Sequence, residues 1–214
     1  MNYPNKTKEH MTSRDLQAEN RRKQFIEAAK KLFAQKGYHG TTIRDINRAM
    51  GITEGLMYHY FRGGKHEILQ VLVSEAIEEK RNNYITALTQ YKEEFSIKES
   101  LTFFGNMILN FTTTDKDLML IWLRDRNLIE KKYLDLYNDV TKVLTHKLTT
   151  VIQSFVKDNP NCKLDPSMMA TQFFSSLSIF IMQEYVMGTE FIPDLNRENY
   201  LEKLVDYTLE TWHF

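Results

Sequence analysis

TTIRDINRAMGITEGLMYHYFRGGK, residues Thr41 to Lys65, is the stretch from which the fold can be read outward. Thr42 stands three residues before Asp45, the spacing at which a hydroxyl and a carboxylate satisfy each other's amide donors at a helix start. A helix is therefore expected from Ile43. Ile43, Ile46, Asn47 and Met50 keep a 3/4 spacing with three apolar members, and Gly51 follows where a left-handed residue can close the helix. Thr53 offers a second N-cap, ahead of Leu56, Met57, Tyr58, Tyr60 and Phe61 in a helix of barely two turns. So short a helix does not stand alone and must lean on its neighbours. Two short helices and a tight turn predict a helix-turn-helix, whose second helix enters a DNA major groove.

The segments GYHGTTIRDI (37–46) and MGITEGLMYHYF (50–61), followed by a basic residue opening a long helix, resemble the DNA-binding domain of the TetR family of bacterial transcriptional regulators. The resemblance spans roughly Arg21 to Leu72 and departs at two points. Glu54 stands where the family often carries Lys or Arg, and the link Arg62-Gly63-Gly64 is about one residue longer than usual. Glu54 repels phosphate and is expected to point away from it, the alternative being that it accepts from a cytosine amino group. The resemblance implies a regulator, most commonly a repressor, that binds an operator and responds to a small molecule held in the helical body.

Composition and charge agree with this. The 214 residues are 42% hydrophobic and 26% charged, enough for a substantial core, while four prolines and eight glycines leave few breakers. Helical periodicity dominates, and an all-α fold of about nine helices is expected. The domains read as a flexible arm over 1–18, a helix-turn-helix domain over 19–65, and a helical ligand-binding and dimerisation domain over 66–214. Residues 1–65 hold thirteen Lys/Arg against six Asp/Glu, and the remainder fifteen against twenty-two, so a +7 segment is joined to a −7 body. That asymmetry is the footprint of a chain whose one end meets a polyanion. No apolar run is long enough to span a bilayer and no apolar signal core opens the chain, so a cytoplasmic protein is expected. The single cysteine, Cys162, allows no internal disulfide or cysteine metal site.

The rest of the chain reads as helices over Glu19–Lys36, Glu67–Thr89, Ser100–Thr112 behind a Ser96/Glu99 capping box, Asp117–Leu123, and Arg126–Val156, the last about 45 Å long at 1.5 Å per residue. Asp165-Pro166 starts a further helix that Gly188 ends, and Asn196 caps the final one.

Candidate DNA contacts divide into those that fix position on phosphates and those that read bases. Thr42, Tyr58 and Lys65 are expected at phosphates, and Arg44, Thr53, Gly55 and Leu56 at base edges. His59 can serve either. Tyr60 and Phe61 are expected in the core. Phe103, Phe104, Met107, Phe111, Trp122 and Phe174 are an aromatic and methionine excess suited to the walls of a cavity for a largely apolar effector. Met169, Phe173, Leu177, Phe180 and Ile181 on one helix, with Leu201, Leu204, Val205, Thr208 and Trp212 on the last, are expected to form a two-fold four-helix dimer seam. The six histidines keep no metal-ligand spacing, and neither a nucleophile elbow nor a phosphate-cradling glycine loop occurs, so neither enzyme, cofactor nor metal is expected. An all-α adaptor that binds only protein is the alternative function; it would have no use for the basic end.

Overall fold

The computed structural model describes residues 12–53, 55–112, 115–159, 162–188 and 197–214. Among them lie nine α-helices and no strand: α1 (Ser13–Gly40), α2 (Ile43–Ala49), α3 (Leu56–Tyr60), α4 (Gly64–Leu88), α5 (Ile97–Thr112), α6 (Lys116–Asp125), α7 (Lys131–Asp158), α8 (Pro166–Ile181) and α9 (Arg197–Trp212). Among the described residues no helix is long and apolar enough to cross a membrane.

Local signals explain four of the helix starts. Thr12 and Asp15 form a capping box that carries α1 back to Ser13, six residues ahead of the expected start, through residues with no apolar stripe of their own. Thr42 and Asp45 do the same at α2. Ser96 and Glu99 exchange bonds of 2.8 and 3.2 Å at α5. Asp165 caps α8 ahead of Pro166, and the chain then widens into a π-helical turn, Met182–Met187, that stops at left-handed Gly188. The long helix expected from Arg126 instead begins as a 3-10 turn, Arg126–Leu128, with α7 starting at Lys131. The expected Asn196 cap lies outside the described residues.

The chain forms two compact units. The first holds the residues up to Glu75 together with Leu120–Glu130; the second holds Ala76–Met119 and Lys131–Phe214. The first therefore runs on past Lys65 and takes in a strap from far along the sequence. Its core gathers Phe25, Ile26, Ala29 and Phe33 of α1, Ile46 of α2, Met57 of α3, Phe61, and Ile68, Leu69, Leu72 and Val73 of α4. Burying each large side chain contributes about 1.5–3 kcal/mol.

In the second unit α5, α7, α8 and α9 pack on one another around Leu101, Phe104, Leu148, Ile152, Phe173, Leu177 and Trp212. Gly105 lets α5 lie close to α9: a Cβ there would stand 2.3 Å from Leu201 Cδ1, and that side chain would have to shift.

Candidate nucleic-acid interface

Three helix starts converge at one corner of the first unit. Gly64, at the head of α4, has φ +61°, and the place where a Cβ would stand lies 3.5 Å from Ile43 Cδ1 at the head of α2 and 3.5 Å from Tyr58 Cε1 on α3. Only glycine fits that conformation comfortably. The link Arg62-Gly63-Gly64 is thus closed by a left-handed turn, and Glu67 Oε2 accepts the Gly63 N–H at 2.9 Å. Around this corner Thr42, Arg44, Thr53, Gly55, Leu56, Tyr58 and His59 are exposed, with Tyr58 49% accessible although Met57 beside it is fully buried. The hydrogen bond of the Asp45 carboxylate to the Thr42 backbone, followed by that to its hydroxyl, holds Asp45 below the usual carboxylate range. Glu54 lies outside the described residues.

Two features of the corner differ from expectation. Helix α3 starts at Leu56 rather than behind Thr53, because Gly55, at φ +107°, is its N-cap and supplies no side-chain bond. Lys65 is half-buried and committed inward: its ammonium donates to the carbonyls of Tyr38 and Thr41, both at 2.8 Å, and sits 4.3 Å over the Tyr38 ring. Burial pushes its pKa below the usual lysine value, against the pull of the Asp125 carboxylate. Its position answers the need of the carbonyls at the end of α1 for donors.

The corner is held from behind by residues that no local pattern exposes. Thr41 Oγ1 donates to Leu32 O at 3.1 Å and Gly37 O at 2.8 Å. From the strap, Arg124 donates to the carbonyls of Phe33 and Ala34, and buried Asp125 accepts the Tyr38 N–H at 3.2 Å. At the other end of the strap the Gln70 amide bridges Leu128 O at 2.8 Å and Glu130 N at 2.9 Å. Arg22 reaches Tyr60 O at 2.9 Å and stacks 4.3 Å over Phe61, steadying the end of α3. Tyr60 is half-buried and Phe61 fully so.

An exposed short helix on a buried hydrophobic hinge, beside a capped helix start and in a basic segment, is the geometry of a major-groove reader. Residues 25–72 match the family described as bacterial regulatory proteins, tetR family. That segment is a tetR-family DNA-binding domain. The chain is a DNA-binding transcriptional regulator. The fatty acid metabolism regulator protein of Bacillus subtilis (strain 168) is 26% identical over 167 residues, 75% of this chain and 84% of that one. The regulator HbdR of Aromatoleum sp. (strain CIB) is 43% identical over 60 residues, which span 28% of this chain and 26% of HbdR. The fold is similar to that of the fatty acid degradation regulator FadR from Bacillus halodurans, at a TM-score of 0.60 and 20% identity over 88% of this chain and 94% of that one.

In the second unit, Phe104 and Met107 are buried, and Phe103 and Phe174 are half-buried against the same core. The Phe103 and Phe104 rings continue into Tyr91 and Phe95 at centroid separations of 5.5 to 6.2 Å. Trp122 belongs instead to the first unit, on the strap. The Phe111 side chain lies outside the described residues.

The expected dimer seam also falls differently. Met169, Phe173, Leu177, Phe180, Ile181, Leu201, Val205, Thr208 and Trp212 are all buried within the single chain, and Leu204 is half-buried. Their apolar periodicity marks the face toward their own core. The large apolar side chains that these helices leave in solvent are Met168, at 65% exposure, Ile179 and Tyr207.

Proposed function

We propose that this regulator is a repressor that binds a near-palindromic operator as a homodimer and leaves it when a small, largely apolar effector occupies the second unit. The observation that carries the reading is α3, whose Leu56, Tyr58 and His59 stand in solvent while Met57 is buried. Thr42 and Tyr58 supply phosphate contacts and Arg44, Thr53, Gly55, Leu56 and His59 base contacts, in the cytoplasm where the operator is. Two such readers related by a two-fold axis address half-sites about 34–36 Å apart, or a multiple of that. Exposed Met168, Ile179 and Tyr207 on α8 and α9 support a dimer through the outer faces of these helices.

A fatty-acid-derived effector is the best-supported class. The likeness to the Bacillus subtilis fatty acid metabolism regulator extends over 167 residues, well beyond the DNA-binding segment, and so reaches the unit that would hold an effector. Phe103, Phe104, Met107 and Phe174 are apolar and offer a long hydrocarbon chain no charge to desolvate.

The deciding experiment selects bound fragments from genomic DNA and measures their affinity with and without a series of fatty acids. Linkage requires that a compound weakening the operator be weakened by it to the same extent, typically about 5- to 150-fold. Compounds that bind without changing operator affinity would refute the effector reading, and a monomer mass at micromolar concentration would refute the dimer.

A further inference from the structure

Asn47 is 2% exposed, and both its amide nitrogen and its amide oxygen lack a partner. That pairing failure is unusual, because a carboxamide has two donors and two acceptor sites and buried polar groups almost always find partners. The side-chain bonds around it make it more so: Thr41, Thr42, Asp45, Lys65, Gln70 and Asp125 in the same unit are all engaged. The backbone of Asn47 is engaged too. Its carbonyl accepts the N–H of Met50 at 3.2 Å and of Ile52 at 3.1 Å, so the turn from α2 toward α3 hangs from this residue.

A second deficit lies just beyond that turn. Helix α3 has five residues and no side-chain cap, while Thr53, of a residue type that caps well, is exposed two positions before Gly55. In the free protein an unmet buried amide thus lies beside a reader helix that no side chain caps. Groups unmet in one state and met in another supply the differential free energy by which a ligand shifts a conformational equilibrium.

We propose that Asn47 is a positioning residue for the reader: its amide pairs with the backbone of the turn it carries only when α3 is seated in the operator, and so favours the bound form of the turn. This rests on α3 being the DNA reader. The buried amide destabilises the free form and rewards the bound one, so its removal moves the two properties in opposite directions. Each hydrogen bond made only in the complex changes affinity by about two- to tenfold.

The test uses the full-length chain and the genomic duplex that it selects. Asn47→Leu, which removes both unmet groups at similar volume, raises the thermal midpoint of the free protein and weakens the duplex about three- to tenfold. Asn47→Ala, which leaves a small cavity, weakens the duplex similarly whatever it does to stability, and decides the matter if the leucine does not fit. In the unaltered chain, backbone amides of residues 50–53 gain hydrogen-exchange protection on the duplex, and this gain is lost in Asn47→Ala. Wild-type affinity in both variants overturns the proposal, as does an unchanged protection gain in Asn47→Ala, or an ordered water satisfying the amide in a high-resolution structure of the free protein. If the unaltered chain selects no duplex, the reading of α3 as the DNA reader fails instead.

Discussion

Removal of the Asp125 carboxylate should loosen the DNA-binding unit from a position 80 residues beyond α2's Asp45 in the sequence. In Asp125→Ala the Tyr38 N–H, 3.2 Å from the carboxylate, loses its acceptor in a buried setting, and Lys65 loses the charge that opposes its desolvation. A hydrogen bond to a charged group contributes about 1.5–3 kcal/mol, and a buried donor left unmet costs about that range again. Removing a carboxylate that is only 5% exposed returns part of this, since its own burial was unfavourable. The pair with Arg124, at 3.4 Å, adds at most about 1 kcal/mol because the arginine side chain is 42% exposed. A net loss of about 2–4 kcal/mol follows. Asp125→Asn keeps an oxygen for the Tyr38 N–H and should lose about half as much. The chain has two tryptophans, one in each unit, so urea unfolding followed by Trp122 fluorescence in a Trp212→Phe background reads the first unit. A loss below about 0.5 kcal/mol in Asp125→Ala would refute the argument that this carboxylate braces α1.

Lys65→Met removes two inward hydrogen bonds and a ring contact and should lower stability by about 1–3 kcal/mol while leaving the salt dependence of DNA binding unchanged. A slope reduced by about one unit would show instead that the ammonium reaches a phosphate. Gly105→Ala should lower the thermal midpoint, because Leu201 must shift; overpacking at about 1–3 kcal/mol exceeds the gain of about 1 kcal/mol in helix propensity. A raised midpoint would mean that Leu201 swings aside freely. Asp45, Glu99 and Asp165 are each held below the ordinary carboxylate range, by hydrogen bonds from Thr42, Ser96 and Ser167 respectively. Their folded pKa values lie below the unfolded ones, so their support is fully present above about pH 4–4.5 and is lost as pH falls through the lowered values. Far-ultraviolet circular dichroism on acid titration should show helix loss there, smaller in Asp45→Asn, which has already given up one cap.

Much of the fold could be read from the chain alone because its signals act over three or four residues. The capping boxes at Thr42 and Ser96, Asp165-Pro166 and the stop at Gly188 each solve a local problem of unmet backbone groups, and all are where the sequence places them. The reader's exposed and buried sides were equally legible, since a helix-turn-helix is one short stretch with its own periodicity. Periodicity states that a residue faces something apolar, not what that is. The faces of α8 and α9 read as a dimer seam are the chain's own core, and Trp122, read as part of an effector wall, lies in the unit that holds the reader. Lys65 bore a positive charge that its sequence neighbours could not balance, and only the carbonyls of Tyr38 and Thr41 gave it an inward use. The bonds of Arg124, Asp125 and Gln70 join residues 58 to 91 positions apart. Contacts of that span leave no trace in spacing, because they depend on which chain segments the collapsed core brings together, and that was decided by tertiary structure.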